Sequence, residues 1–124
     1  MHEAGIASGI LDIVSDTARG ASASRAVAVT VRIGDMVEVV DEALRFAWDA
    51  LSELDPLTDG CELAVVPVHP ESRCRACGET FGHSRFHVRC PVCGSADTEL
   101  LHGRELDIVS VEVETDDEEC SEGA

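Results

Sequence analysis

Two short stretches decide how this chain is organised: residues 74–78 are Cys-Arg-Ala-Cys-Gly, and residues 90–94 are Cys-Pro-Val-Cys-Gly. Each is a C-x-x-C-G knuckle, in which two thiolates bind one metal ion while the glycine permits the tight turn that brings amide N–H groups to the sulfurs. Together Cys74, Cys77, Cys90 and Cys93 provide the ligand set of tetrahedral zinc. Because all four positions are cysteine, we expect a structural zinc rather than a catalytic one.

Three other interpretations of these cysteines are a thioredoxin-like redox pair, an iron centre and two disulfides. A redox pair requires one C-x-x-C at a helix N-terminus in a larger sheet, which the surrounding sequence does not provide. Iron is chemically feasible, since a rubredoxin site uses similar knuckles, and it stays the alternative to zinc. Disulfides are disfavoured in a chain that shows no secretory signal. Outside the knuckles, we expect Cys61 to be a buried small hydrophobe and Cys120 a solvated tail residue.

The sequence on either side of the knuckles predicts two helices and a small sheet. Apolar residues at helical spacing predict one amphipathic helix over residues 5–20, with Ile13 on its apolar face, and a second, which includes Leu54, over about 38–54. Alternating apolar residues predict three strands, over residues 25–33, 61–68 and 105–114. The predicted order is helix, strand, helix, strand, insert, strand, with the knuckles in the insert.

These patterns predict the α+β class. A small three-stranded sheet with two helices forms a discontinuous domain from residues 1–69 and 99–114, and a four-cysteine, zinc-ribbon-like domain of residues 70–98 is inserted into it. Residues 70–98 show no sustained period, and an insert of about 29 residues has too little core to fold without a metal. Residues 115–124 have no large apolar residue, so we expect a disordered acidic tail.

The composition excludes several classes of protein. The chain has 124 residues and a formal net charge of -16, with nine basic residues, all arginine, against 25 acidic ones. The length excludes a large multidomain enzyme, and the absence of lysine excludes Schiff-base and P-loop lysine chemistry. We expect no nucleic-acid or membrane partner, because an acidic chain repels phosphate backbones and anionic surfaces. No apolar run approaches the roughly 20 residues that span a bilayer, so the predicted location is the cytoplasm.

The amino terminus, Met1-His2-Glu3, carries a second metal-binding pattern. The Met1 amine, the amide nitrogen of His2 and its imidazole can chelate one ion through fused rings, and the amide of Glu3 can fill a fourth in-plane position. Nitrogen-rich planar sites favour Ni(II) or Cu(II). A histidine at position 2 also occurs by chance in unstructured chain starts, so three residues alone do not choose between these interpretations.

Five motifs occur together in this chain: Met1-His2-Glu3, Val-Arg-Ile-Gly-Asp at 31–35, Glu-Ala-Leu-Arg-Phe-Ala-Trp at 42–48, the two knuckles, and Gly-Arg-Glu-Leu at 103–106. In this combination the chain resembles the HypA/HybF family of nickel metallochaperones, from Met1 to about Glu114. The resemblance implies a nickel-binding domain with an inserted zinc domain. It also implies partnership with the GTPase HypB and nickel delivery to the precursor of the nickel-iron hydrogenase large subunit, in some cases also to urease.

The resemblance further implies which residues bind each metal. His2 corresponds to the essential nickel ligand, with the Met1 amine and the Glu3 backbone as co-ligands, and the four knuckle cysteines correspond to the structural zinc ligands. The family often has an acidic residue where this chain has Val40, with Glu38 and Asp41 flanking that position. Glu38, Asp41 and His102 are therefore additional candidate nickel ligands.

The predicted function is a nickel metallochaperone with transient Ni(II) and structural Zn(II), acting as a monomer or weak homodimer. The competing hypothesis is a zinc-ribbon adaptor or nucleic-acid-binding module without nickel function. Acidic residues nearly balance the arginines of residues 70–98, and four thiolates on one zinc add negative charge, which disfavours nucleic acid. We do not expect an enzyme, because the zinc site is closed and the spacing assembles no nucleophile, base and orienting group.

Overall fold

The computed structural model describes residues 2–115, which form two helices and six strands. In chain order they are α1 (Glu3–Gly20), β1 (Arg25–Gly34), a 3-10 turn (Asp35–Val37), α2 (Asp41–Ser52), β2 (Glu62–Val68), β3 (Glu71–Cys74), β4 (Thr80–Gly82), β5 (Thr98–His102) and β6 (Leu106–Glu114). One three-stranded sheet has the order β2-β1-β6 and the other β4-β3-β5. The predicted α+β class, with a small sheet and two helices, is confirmed.

The chain divides into two compact units. The first, called the helical unit, comprises Met1–Val31, Val39–Val65 and Ile108–Ala124, and the second, called the cysteine unit, comprises Arg32–Glu38 and Val66–Asp107. The cysteine unit is therefore wider than the predicted insert of residues 70–98. The predicted domain boundaries themselves stay a prediction.

The core of the helical unit lies where α1 and α2 pack together. The buried side chains of α1 share one face: Ala7, Ile10, Leu11, Val14 and Ala18. Ile13, which the spacing suggested for that face, is 53% exposed. From α2, Leu44 and Trp48 are buried, and the Trp48 indole donates to the carbonyl of Cys61 at 2.9 Å. Cys61 itself is buried, as expected.

The second helix ends earlier than its apolar pattern predicts. It stops at Ser52, and the hydroxyl of Thr58 donates to the Ser52 carbonyl at 2.9 Å, satisfying one of the free carbonyls at the helix end. Leu54 lies beyond the helix and is 79% exposed. An apolar residue at the right interval does not extend a helix when the following chain already provides the partner for its last carbonyls.

A close backbone approach organises the cysteine unit outside its knuckles. Gly34 donates its N–H to the carbonyl of Glu105 at 2.7 Å, and Met36 donates to the carbonyl of Gly103 at 2.8 Å. A Cβ atom on Gly34 would overlap the Gly103 carbonyl group, so glycine is required there. The N–H of Gly103 donates to a Glu105 carboxylate oxygen at 2.7 Å, and this contact holds the pKa of Glu105 below its usual value.

The sheet of the cysteine unit contains three strands that the sequence did not predict. Strand β3 pairs antiparallel with β4 and with β5, and the second pairing has a register irregularity next to Glu71. These strands have only three to five residues, too few to show a period of two. In the described part of the chain, no helix is long and apolar enough to cross a membrane.

Candidate metal centre

Two matching turns build the metal centre of the cysteine unit. Cys74 ends β3, and the N–H of Gly78 donates to its carbonyl at 2.8 Å. In the second knuckle the N–H of Gly94 donates to the carbonyl of Cys90 at 2.9 Å. Gly78 and Gly94 have φ angles of +83° and +75°, a conformation that L side chains rarely adopt. The glycine after each C-x-x-C pair is therefore required by the turn that aims its two sulfurs.

The two knuckles bring four sulfurs to one point. The Sγ atoms of Cys74, Cys77, Cys90 and Cys93 all lie within 4.8 Å of one another. Two cross-knuckle pairs, Cys74 with Cys93 and Cys77 with Cys90, are 3.5 Å apart. A tetrahedral ion with metal–sulfur bonds of about 2.3 Å places neighbouring sulfurs about 3.8 Å apart, so these cysteines fit such an ion with small adjustments.

Amide groups of the turns stabilise thiolates in this cluster. The N–H of Cys77 lowers the pKa of the Cys74 thiol to about 7, and the N–H of Cys93 lowers the pKa of Cys90. At Cys77 the N–H of Glu79 acts in the same direction, but the adjacent Cys90 sulfur and burial outweigh it and raise the pKa to about 12. All four groups ionise together only when a cation balances their charge, which is what a bound divalent metal does.

The local structure also bears on the competing chemistries of the cysteines. The four knuckle cysteines and Cys61 are free thiols rather than disulfides. Both knuckles are followed by turns and short strands, so neither cysteine pair lies at a helix N-terminus in the described residues. A thioredoxin-like arrangement is therefore not formed. The sulfur geometry suits a tetrahedral zinc or iron ion alike.

The amino-terminal residues lie in the helical unit. Helix α1 begins at Glu3 with His2 as its N-cap, and the His2 side chain is exposed. The Glu3 carboxylate accepts the N–H of Val40 at 3.1 Å, and this contact holds the pKa of Glu3 below its usual value. Val40 is the N-cap of α2, so Glu3 links the starts of the two helices. The remaining candidate of this motif, Met1, lies outside the described residues.

The other predicted nickel ligands are distributed over both units. Asp41 belongs to the helical unit, and its carboxylate lies 3.0 Å from Nε of Arg45. Glu38 and His102 belong to the cysteine unit. The Glu38 carboxylate is 3.9 Å from Arg85, and His102 Nδ1 is 3.7 Å from the Glu105 carboxylate. Within residues 2–115, the four knuckle cysteines are the one group of three or more potential ligands that the structure brings together.

One contact at the amino terminus was not anticipated from the sequence. Glu3 was predicted to contribute its backbone, whereas the structure also gives its side chain a partner 37 residues away. The sequence offered one signal, an acidic residue in the first turn of a helix, where carboxylates are commonly found for electrostatic reasons. That signal does not reveal a contact with a second helix.

Two cysteines lie outside the knuckles. Burial raises the pKa of the Cys61 thiol, while Cys120 lies outside the described residues.

Comparisons with known proteins agree with this fold and site. The family model described as "Hydrogenase/urease nickel incorporation, metallochaperone, hypA" matches residues 1–113. "Hydrogenase maturation factor HypA" of Chlorobium phaeobacteroides is 38% identical over 115 residues, covering 92% of this chain and all of that protein. The protein of the same name from Crocosphaera subtropica is 37% identical over 114 residues, covering 92% of this chain and 96% of that protein.

Solved structures show the same fold. The solution structure of the Ni metallochaperone HypA from Helicobacter pylori superposes with a TM-score of 0.67 at 21% identity, covering 94% of this chain and all of that one. A second solution structure of a HypA protein gives a TM-score of 0.68 at 22% identity, covering 91% of this chain and 96% of that one. At these identities the structural likeness is evidence for the fold alone.

Fold, four-cysteine cluster and matched sequence together define a metal-binding maturation protein without catalytic function. The chain belongs to the HypA family of hydrogenase maturation nickel metallochaperones. The prediction that it is not an enzyme is thereby confirmed, as is the family resemblance. Membership also associates the chain with the machinery that matures hydrogenase.

Proposed function

We propose that this protein takes up Ni(II) at its amino terminus and transfers it to the precursor of the nickel-iron hydrogenase large subunit, in cooperation with the GTPase HypB. The observation that carries the proposal is the exposed His2 at the start of α1. The name of the matched family, which includes urease, supports urease as a second recipient. The proposal places the protein in the cytoplasm, where thiols stay reduced and available to zinc.

The proposed nickel ligands are the Met1 amine, the amide and imidazole nitrogens of His2, and the amide nitrogen of Glu3. The first N–H groups of an α-helix have no partner within the helix. Glu3 is the first residue of α1, so coordination through its amide would break no helical hydrogen bond. The side chain of Glu3 supports the site differently, because its contact with Val40 restrains the backbone that carries the ligands.

An exposed chelate at a chain end suits a carrier. Ligands of an acceptor can approach the ion without unfolding the donor, so the ion can pass between proteins through shared coordination. Amine, imidazole and amide nitrogens must lose protons to bind, and nickel affinity should therefore fall as the pH drops. Glu38, Asp41 and His102 remain predicted additional ligands, and Asp41 would first have to leave Arg45.

The four knuckle cysteines are proposed to hold Zn(II) as a resident ion. Zinc with four thiolate ligands has no open position and contributes folding energy instead of catalysis. Support comes from the convergence of Cys74, Cys77, Cys90 and Cys93. We further propose a monomer or weak homodimer in solution.

Replacing His2 by Ala tests the nickel site. Titration calorimetry and native mass spectrometry should show the loss of about one equivalent of Ni(II) in His2→Ala, while zinc content stays unchanged. His87→Ala is the matched control, because His87 is also exposed and lies in the cysteine unit. Unchanged nickel stoichiometry and affinity in His2→Ala would exclude the amino-terminal site and favour the zinc-ribbon adaptor hypothesis.

A second variant separates the amine from the side chains. One residue added before Met1 moves the amine away from His2 and leaves every side chain in place. Nickel affinity should then fall by at least about tenfold, since one fused chelate ring is lost. If this variant binds nickel as the parent does, the ligand set must be built without the amine.

A further inference from the structure

Helix α2 carries an exposed stripe that contributes nothing to the core. Glu42, Phe46, Asp49 and Glu53 follow one another at intervals of four, three and four residues, which places them on one face. All four residues are exposed, and the exposed fraction of Phe46 is 78%. We call this set the α2 stripe.

Two charges of the α2 stripe, those of Asp49 and Glu53, are unfavourable for the helix itself. A helix C-terminus favours cations, yet the last turn of α2 has no basic residue, and Glu53 is its C-cap. Asp49 and Glu53 are four residues apart, a spacing at which like charges repel. These two carboxylates therefore lie where the helix would be more stable without them. A cation supplied from outside would relieve both effects.

A cleft beside the stripe also has more carboxylates than cations. It has a volume of about 470 Å³, and its lining includes four carboxylates: Asp49, Glu53, Asp59 and Glu62. Arg45 also lines it, but this guanidinium already lies 3.0 Å from Asp41 and donates to the carbonyl of Leu63 at 3.1 Å. Within residues 2–115, none of the four carboxylates forms an ion pair with an arginine.

We propose that the α2 stripe and this cleft form a docking surface for a cationic, amphipathic segment of another protein. An arginine or lysine of the partner enters the cleft between the carboxylates, and an apolar side chain packs on the ring of Phe46. An exposed aromatic residue beside charged groups is typical of a recognition surface with a polar rim. Neither nickel nor zinc takes part, so the surface does not depend on the metal sites.

The sign of the charge selects this partner over others. A nucleic acid or an anionic membrane would bring further negative charge to the carboxylates and be repelled. A second copy of this chain is a poorer fit, because the chain carries a net charge of -16 and would approach as a like-charged body. A segment rich in arginine or lysine supplies both the missing cations and, on its other face, an apolar contact for Phe46.

The test uses a defined probe: a fluorescein-labelled helical peptide of about 18 residues with arginines on one face and leucines on the other. Fluorescence anisotropy at 0.15 M salt measures its binding to the full chain. We expect Phe46→Ala to weaken binding by at least about fivefold, the usual threshold effect of an aromatic anchor. The combined variant Glu42→Gln, Asp49→Asn, Glu53→Gln should weaken it further and flatten its salt dependence.

Two matched controls distinguish this surface from general attraction to an acidic protein. Phe86→Ala removes an equally exposed ring, 74% exposed, from the cysteine unit. Asp12→Asn, Glu99→Gln and Glu112→Gln together remove the same charge from exposed positions outside the stripe and cleft. Both controls should bind the peptide within about twofold of the parent chain.

Three outcomes would overturn the proposal. The first is an equal loss of peptide binding in the control variants and in the stripe variants. The second is retention of peptide binding in both Phe46→Ala and the stripe triple variant. The third is self-association of the chain through this surface in sedimentation experiments. Circular dichroism of each variant checks that the chain is folded, and the substitutions are on exposed side chains. Nickel titration of the same variants should be unchanged, so a failure of the proposed nickel site would be seen separately.

Discussion

The four cysteines and the first residues of the chain offer metal ligands in two different ways. In the cysteine unit, two turns aim four sulfurs at one point, and amide N–H groups lower the pKa of the Cys74 and Cys90 thiols. At the amino terminus, His2 is exposed and a side-chain contact from Glu3 to Val40 restrains the adjoining backbone. The cysteine ligand set is prepared by the fold, whereas the proposed amino-terminal ligand set would depend on the ion to arrange it.

Under the proposed function, this difference corresponds to the difference between a resident zinc ion and a nickel cargo. A closed, preorganised set of four thiolates releases its ion slowly and stabilises the fold around it. An exposed chelate loses more conformational freedom on binding and is easier for an acceptor to reach. The contrast predicts that damage to the cysteine cluster affects folding, while damage to the amino terminus affects nickel alone.

The largest expected effect comes from removing one of the proposed zinc ligands. Cys90→Ser should reduce zinc from about one equivalent to less than half, and the cysteine unit should lose its fixed structure because its core cluster consists of Cys74, Phe81 and Cys90. Metal analysis combined with amide NMR spectra measures both. The signals of α1 and α2 should persist, since those helices have their own buried face.

The matched control for this variant is another buried cysteine. Cys61 lies in the helical unit, so Cys61→Ala should leave the zinc content at about one equivalent. If metal analysis of the parent protein finds iron instead of zinc, the ion held by the four cysteines is iron. Retention of an ordered cysteine unit after complete removal of metal would contradict the view that the ion holds it together.

Next in size is the effect of a methyl group at the close backbone approach. Gly34→Ala would place a Cβ atom on the Gly103 carbonyl, and backbone atoms cannot move aside as a flexible side chain can. We expect a loss of stability near the upper end of the roughly 1–3 kcal/mol typical of overpacking. Urea denaturation of the zinc-loaded protein measures it. Unchanged stability in Gly34→Ala would show that the chain segments around Gly34 and Gly103 can move apart without a loss of free energy of unfolding.

Gly9 provides the opposite case in the helical unit. A Cβ atom at Gly9 has nothing within 4 Å, and the residue lies inside α1. Gly9→Ala should therefore stabilise the protein by about 0.5–1 kcal/mol, because alanine loses less conformational entropy than glycine on entering a helix. Gly34→Ala should therefore lower the stability of the protein and Gly9→Ala should raise it. A general sensitivity to mutation would lower the stability in both variants.

The accuracy of the sequence-based predictions also differs between the two regions. Each long element has a repeating apolar pattern, which predicted both helices and the strands of the first sheet to within a few residues. The strands of the cysteine unit could not be predicted, because they are short and are fixed by pairing across the knuckles. The cysteine cluster itself was predictable, since a C-x-x-C-G spacing largely determines the turn that forms.

Contacts between residues distant in sequence were beyond prediction. The partners of Glu3, Asp35 and Ser72 illustrate this limit: the N–H of Val40, the ring of His69 and the ring of His83. Each contact depends on how elements pack, and no local pattern of residue types specifies it. The same reason explains Ile13, whose spacing suited the buried face of α1 but whose side chain stays exposed.

A moderate effect is expected from pH, and it should separate the two metals. Nickel must displace protons from the nitrogens that bind it, and each displaced proton weakens its binding by up to about tenfold for every unit by which the pH falls. Zinc should be retained over the same range, because four thiolates hold it in a closed site and resist protonation while they are bound to it. Titration from pH 8 to pH 6 with both metals measured should show nickel leaving first. Simultaneous loss would indicate that the two sites share ligands.

The smallest predicted effect concerns the side chain of Glu3. Glu3→Ala removes the acceptor of the Val40 N–H and should weaken nickel binding by roughly two- to fivefold, because the backbone that carries the ligands is less restrained. Glu3→Gln keeps a neutral acceptor, so its nickel affinity should lie between that of the parent protein and that of Glu3→Ala. Since the pKa of Glu3 is lowered in the folded chain, the contact stabilises the fold at neutral pH and is lost as the pH falls through that lowered value. Equal nickel affinity in all three proteins would mean that the ion alone arranges the amino terminus.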